Sequence, residues 1–199
     1  MVRARIFLFC VVVTGLFFIS SIGEAKGPLD PMEKHSWTLN FGVGPGIRYY
    51  SGYPAGFGPG FQAAFETGLW KLGPGVLTLG GETGINYFSY KGGGIPDMTT
   101  DGYYFRWLTL FFACRTAYHY GWKVHGLDTY GGFATGVRYL VFRKTFYDAY
   151  FNEYTPASFG VFGGVFAGAS YFFNPVIGIN AELGYNINYA QIGMIFKLK

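Results

Sequence analysis

From residue 37 onward the chain alternates. Ile177, Ile179, Ala181, Leu183 and Tyr185 form an apolar face opposite Gly178, Asn180, Glu182, Gly184 and Asn186. Ala190, Ile192, Met194, Phe196 and Leu198 likewise alternate with Gln191, Gly193, Ile195 and Lys197. A period of two marks a strand whose two faces meet different surroundings, because successive side chains point to opposite sides. The pattern recurs backward. Trp37, Leu39, Phe41 and Val43 oppose Thr38, Asn40, Gly42 and Gly44, and Phe61, Ala63, Phe65, Thr67 and Leu69 oppose Gln62, Ala64, Glu66 and Gly68. Leu77, Leu79, Ile85 and Tyr87 oppose Thr78, Gly80, Glu82, Gly84 and Asn86. Three more strands are predicted at about 104–118, 127–140 and 157–171. In the fourth and sixth the faces are ambiguous, since Phe111, Phe162 and Phe166 fall on the polar side; the parity adopted turns Arg115 inward.

Eight strands of about ten residues suit a tilted crossing of a bilayer. The predicted connections after strands two, four and six are short (70–75, 119–126 and 172–175). Those after strands one, three and five are long (45–59, 89–103 and 141–156) and rich in aromatics, with Gly and Pro in the first two. The last connection, 186–188, is very short and departs from this rule. In lipid every backbone polar group must be paired internally, so a sheet there has to close on itself. The apolar face is nearly free of charge, while Glu66, Glu82, Arg115, Arg138 and Glu182 fall on the Gly/Asn/Thr face. A soluble barrel reverses that arrangement. The expected fold is an all-β, eight-stranded antiparallel up-and-down transmembrane β-barrel over residues 37–199. Trp37, Trp70 and Trp122 map to its short-turn rim, and Tyr49, Tyr87, Tyr104, Tyr139, Tyr185 and Tyr189 to its long-loop rim, where interfacial aromatics belong.

Composition agrees. Charged residues are 13%, about half the ~25% of a soluble domain. Aromatics at 22% exclude a disordered chain. Thirty-two glycines without a three-residue period exclude collagen. A mean hydropathy of +0.21 is too low for a bundle of membrane helices. The net charge of +4 is spread along the chain and leaves no nucleic-acid footprint.

The N-terminus is an address. Arg3 and Arg5 precede an uncharged stretch from Ile6 to Gly23, and Gly23-Glu24-Ala25 supplies small residues at a cleavage site. Residues 1–25 are therefore predicted to be a cleaved secretory signal peptide. Residues 26–36 are predicted as a short periplasmic segment. Cys114 is then the single remaining thiol, in an apolar run, and is read as a small strand residue.

The segments LGPGVLTLGGETG (72–84), RTAYHY (115–120), LDTYGGFATGVRY (127–139), FAGASYFFNPVIGINAELGYNI (166–187) and IGMIFKLK (192–199) resemble the eight-stranded outer-membrane β-barrel family. The resemblance is to OmpA/OmpX-like proteins, and especially to the porin-like "outer membrane protein β-barrel domain" group. It covers most of 37–199 and implies residence in the cell outer membrane. It also implies contact with lipid and lipopolysaccharide, and passage through periplasmic chaperones and the barrel-assembly machinery. Gln191, Gly193, Phe196 and Leu198 resemble the β-signal read by that machinery. Two departures stand out: the chain ends in Leu198-Lys199 rather than an aromatic residue, and Ser170 stands where related sequences often carry a basic residue.

An eight-stranded barrel is just wide enough to be filled by side chains. Glu66, Glu82, Arg115 and Glu182 are expected to meet inside, with Arg138 nearer the outer rim. This cluster is read as a plug that pins strand register; a narrow path for ions or small solutes is the alternative. Arg48, Tyr49, Tyr50 and Tyr53 form one candidate contact cluster in the loops. Phe142, Arg143, Lys144, Phe146, Tyr147, Tyr150 and Tyr154 form another, because exposed Tyr and Arg anchor interfaces. His35, His119 and His125 map to the N-terminus or the second short turn, the periplasmic rim. They lie on the wrong side for lipid modification of the outer leaflet, although His119 could approach Ser36 there. No catalytic residue, metal site or cofactor is predicted. GVGPG (42–46) and GFGPG (56–60) lack the Lys-Ser/Thr ending of a phosphate loop. The expected function is a structural or surface-interaction role with an unknown extracellular ligand. A narrow channel is the second reading, and a lipid-modifying enzyme the third.

Overall fold

A computed structural model describes residues 32–47, 58–92, 103–146 and 157–198, with side chains for all of these except 91–92, 103–104 and 144–146. The predicted signal peptide, residues 26–31, and the loop residues Arg48, Tyr49, Tyr50, Tyr53, Tyr147, Tyr150 and Tyr154 lie outside the described residues.

Eight strands follow in chain order: β1 Trp37–Pro45, β2 Pro59–Leu72, β3 Gly75–Gly92, β4 Tyr103–Gly121, β5 Leu127–Phe146, β6 Ala157–Phe172, β7 Ile177–Tyr185 and β8 Ala190–Leu198. Each pairs antiparallel with its sequence neighbour, and β1 pairs with β8, so the sheet closes as an up-and-down barrel. Closure leaves no edge among the paired segments, which is how a sheet satisfies its backbone without water. At the β1–β8 seam Gly42 faces Gly193. A Cβ on Gly193 would run into the carbonyl oxygen of Phe41, so the seam closes tightly only because that position has no side chain.

The short turns carry their own chemistry. Gly73, at φ 58°, makes the β2–β3 turn in the left-handed region that glycine enters without strain. Between β6 and β7 the Asn174 side-chain oxygen accepts from the backbone N–H of Val176 and Ile177 at 2.9 and 2.8 Å, an Asx turn.

Inward and outward faces alternate as the periodicity requires. Arg115, Phe111, Phe162 and Phe166 all point inward and are buried. The outer face exposes Phe159 at 70%, Val161 at 81% and Ile192 at 71%.

Three strands run further than the turn signals suggest. The predicted loops at 89–103 and 141–156 are shorter, because β3 continues to Gly92 and β5 to Phe146. Residues 141–146 (VFRKTF) are β-branched, aromatic or basic, and they pair with Leu108–Tyr103 of β4. Among the described residues the β2–β3 pairing ends at Gly60↔Asn86 and the β5–β6 pairing at Val141↔Ala157. Beyond those pairs the described parts of β3, β4 and β5 continue paired to one another. At the opposite mouth the N-terminal segment folds inward. Met32 and Ser36 are buried, the His35 N–H donates to the Gly68 carbonyl at 2.8 Å, and Glu33 lies 3.8 Å from Lys197.

Candidate functional site

The barrel interior holds the densest chemistry, stacked in three levels. The central level is built around Arg115 of β4. One lateral row runs Glu66 (β2), Gly80 (β3), Arg115 (β4). Gly80 carries no side chain, so the Glu66 carboxylate reaches across a whole strand and stands 2.8 Å from Arg115 Nε. Arg115 Nη1 donates to Glu82 at 3.0 Å, and Nη2 to Glu182 of β7, across the lumen, at 3.0 Å. Each nitrogen of the planar guanidinium thus faces a different carboxylate, a geometry an ammonium cannot reproduce. The guanidinium carbon lies 4.0 Å from the centre of the Phe166 ring, a cation–π contact in a desolvated setting. All four charged groups are nearly or fully buried.

The carboxylates carry further donors. Glu82 accepts from Gln62 Nε2 at 3.2 Å and Asn186 Nδ2 at 3.1 Å. Glu182 accepts from the Tyr130 hydroxyl and from Gln191 Nε2, both at 3.2 Å. Gln191 Oε1 then accepts from Asn188 Nδ2 at 3.0 Å. Buried polar groups cost free energy unless they are bonded in this way.

Below Arg115 stands His119, and here the structure corrects the sequence reading. His119 was placed in the second turn at the rim, but β4 continues to Gly121 and turns the imidazole inward, where it is buried. Its Nδ1 lies 2.7 Å from Asp128 Oδ2, and its Nε2 lies 3.1 Å from Glu66 Oε2. A doubly protonated ring donates to both. Tyr130 stacks on the ring with centroids 4.9 Å apart, and the Thr78 hydroxyl donates to Glu66. His119 is therefore held between two carboxylates rather than beside Ser36, whose hydroxyl donates to the Glu33 carbonyl at 2.7 Å. His35 and His125 are exposed.

Asp128, Tyr130, Asn186 and Asn188 were not singled out from the sequence. Asp128 and Tyr130 share the inward parity of Arg138, counted back in twos along β5, and that signal was available. Asn186 continues the polar face of Gly178, Asn180, Glu182 and Gly184, so its facing was legible, whereas Asn188 lies in the turn, where no periodicity reports facing.

The top level is apolar. Phe88, Phe105, Trp107 and Phe142 are buried together, with Phe105–Phe142 and Trp107–Phe142 centroids 5.7 and 5.4 Å apart. This corrects the assignment of Phe142 to an exposed loop cluster. Arg143 and Lys144 are likewise strand residues of β5 rather than loop residues; Arg143 is exposed on the outer face. Arg138 stands apart from the Arg115 cluster, half-buried and in register with Phe111 and Gly160. Of the residues that resemble a β-signal, Gln191 is buried in the network, Gly193 lies at the seam, Phe196 packs edge-on to Phe41 at 6.3 Å, and Leu198 is exposed beside Trp37.

No protein-family model and no curated protein matches the chain. Solved structures do resemble it. One is Ail, the attachment invasion locus protein of Yersinia pestis, in complex with the heparin analogue sucrose octasulfate. It is 9% identical, the match covers 83% of this chain and 100% of that one, and the TM-score is 0.49. Another is the N-terminal β-barrel domain of Pseudomonas aeruginosa OprF, at 14% identity, 83% and 98% coverage and a TM-score of 0.42. A third is Neisserial surface protein A (NspA), at 16% identity, 81% and 93% coverage and a TM-score of 0.36. The barrel of the present chain rests on its own strand pairings.

Proposed function

We propose that this chain is an integral outer-membrane β-barrel with a structural or surface-interaction role and a lumen filled by its own side chains. One observation carries the reading: the faces are inverted relative to a soluble barrel. Every strand exposes large apolar residues, among them Phe41, Phe65, Leu79, Phe112, Phe133, Val161, Leu183 and Ile192, while Arg115, His119, Asp128 and three glutamates are buried inside. Soluble monomers rarely expose apolar patches beyond about 300–600 Å², and a belt around a whole barrel exceeds that. Lipid is the solvent that covers it.

The apolar band has a suitable height. On β4 it runs from Leu108 to Tyr120. At about 3.3 Å per residue and a tilt near 45°, that is a rise of roughly 28 Å, against about 25 Å for the apolar band of such barrels. Trp37, Trp70 and Trp122 are exposed at the short-turn end, and Tyr87, Tyr139, Tyr185 and Tyr189 toward the other.

The same geometry favours a structural lumen over a channel. Three levels of packed side chains fill it, and the central charges are engaged with one another. The reading assigns no catalysis, since His119 is held by Glu66 and Asp128. Its partners are outer-membrane lipid and lipopolysaccharide, and during assembly the chaperones and machinery that read the Gln191–Leu198 strand. Refolded in detergent, the chain should migrate differently on gels before and after boiling, and in cells it should fractionate with the outer membrane. A soluble, detergent-independent monomer would overturn the proposal. Discrete conductance events in planar bilayers would replace the sealed lumen with a pore.

A further inference from the structure

We propose that Glu82 is the proton-binding group of the lumen, and that the first proton taken up there sits on its Oε1 and closes a ring with the side-chain amide of Gln62. The inference goes beyond the membrane reading above, since it concerns the interior alone.

The three glutamates around Arg115 are not bonded alike. Glu66 has both oxygens engaged: Oε1 stands 2.8 Å from Arg115 Nε, and Oε2 lies 3.1 Å from His119 Nε2. So does Glu182. Its Oε2 accepts from Arg115 Nη2 at 3.0 Å and from the Tyr130 hydroxyl at 3.2 Å, and its Oε1 accepts from Gln191 Nε2 at 3.2 Å. Glu82 is lopsided. Its Oε2 accepts from Arg115 Nη1 at 3.0 Å, Asn186 Nδ2 at 3.1 Å and Gln62 Nε2 at 3.2 Å, whereas its Oε1 is buried with no hydrogen-bond partner. An ionised carboxylate accepts at both oxygens, and a buried acceptor left bare costs free energy. A protonated carboxyl divides the roles: the carbonyl oxygen accepts and the hydroxyl donates. The bonds at Glu82 are already divided in that way.

The acceptor for the hydroxyl is at hand. Gln62 donates through Nε2 to Glu82 Oε2, and its own Oε1 is likewise buried without a partner. An amide and a carboxylic acid pair through two parallel bonds, N–H to carbonyl and O–H to amide oxygen. The first bond is present; a proton on Glu82 Oε1 supplies the second and satisfies both bare oxygens together. That proton comes from water, and no bond between heavier atoms is made or broken. Charge favours the same group. Glu82 and Glu182 share Arg115 through Nη1 and Nη2, so neutralising one of them relieves the repulsion between them. Besides Glu66 of β2, the other charged or titratable groups turned inward are His119 of β4, Asp128, Tyr130 and Arg138 of β5 and Lys197 of β8. Among the described residues β1 and β6 contribute none. His119 is held by Glu66 and Asp128 rather than by Glu82.

The test follows the carbonyl stretch of protonated carboxyls by infrared spectroscopy on the folded, full mature chain as the pH is lowered. Subtracting the spectrum of Glu82→Gln from that of wild type cancels the exposed carboxyls and leaves the signal of Glu82. Glu66→Gln and Glu182→Gln isolate the other two in the same manner. The Glu82 acid signal should appear first of the three. In Gln62→Met, which lacks the acceptor, its onset should move down by roughly one pH unit, about a tenfold loss of proton affinity. Urea unfolding gives a second readout. A glutamine side chain reproduces the acceptor and the donor of the acid, so below the onset pH Glu82→Gln should keep the wild-type midpoint, while Glu66→Gln and Glu182→Gln should lower it. If either of those two does not fold, the Gln62→Met onset and the Glu82→Gln midpoint decide. A first proton on Glu66 or Glu182, an onset unmoved in Gln62→Met, or a Glu82→Gln chain that does not fold or unfolds as early as the other two overturns the site.

Discussion

Replacing Arg115 with Met tests the central level most directly. The guanidinium stands 2.8 Å from Glu66 and 3.0 Å from each of Glu82 and Glu182, with Phe166 beneath it at 4.0 Å. Removing one partner of a buried ion pair costs about 3–5 kcal/mol, because the remaining charge is left desolvated. Here one truncation takes the guanidinium from three carboxylates, of which Glu66 keeps His119 while Glu82 and Glu182 lose their cation, so the loss should be on the order of 5 kcal/mol. Urea unfolding of the protein in phospholipid vesicles, followed by tryptophan fluorescence, measures it. A second variant separates charge from packing. Arg115→Met combined with Glu66→Gln, Glu82→Gln and Glu182→Gln removes the stranded charges and should recover most of the loss, to within about 2 kcal/mol of wild type, since neutral replacement of a whole buried network is often tolerated. Arg115→Lys should fall between, because a point charge cannot face three carboxylates in one plane. A loss below about 1 kcal/mol for Arg115→Met, or no recovery in the compensated variant, would refute the account of the cluster as the interior's electrostatic keystone.

Three further outcomes follow from the faces and the seam. Phe112→Arg, on the outer face at mid-height of β4, should cost about 2–4 kcal/mol in a bilayer; a neutral effect in the same vesicle titration would argue against lipid contact. Cys114 is exposed on that face, so a hydrophilic maleimide should leave it unlabelled in vesicles and label it after denaturation. Rapid labelling of the embedded protein would contradict the band. Gly193→Ala sets a methyl group against the Phe41 carbonyl at the β1–β8 seam. It should destabilise by about 1–3 kcal/mol and slow the appearance of the heat-modifiable form, whereas unchanged folding would mean that the seam has room to spare.

Much of the wall was legible residue by residue. Facing is a local property: once Arg115 is turned inward, every second residue of β4 follows, including Phe111 and His119. That parity placed Phe111 inside although its chemistry suggested lipid. The same rule carried on to His119 catches it, but the predicted strand ends at about Tyr118, with 119–126 read as a short connection. In the structure, pairing of Tyr120 with Gly75 and Thr129 keeps the strand going. The upper strands were missed for a related reason. Phe142 and Arg143 look like an exposed binding pair in a loop, yet extension of β5 sends one into an aromatic cluster and the other to the outer face.

The alternation alone determined that the chain is a closed sheet with an apolar outside and a charged inside, because a period of two and the absence of charge on one face leave no other economical burial. It also determined which glutamates and which arginine share the interior. The tertiary structure decided who meets whom. Glu182 reaches Arg115 across 67 residues of chain, and Glu66 does so through the gap left by Gly80. Those meetings depend on the stagger with which eight strands close and on side chains crossing a lumen. Both are non-local quantities that no periodicity within one strand encodes.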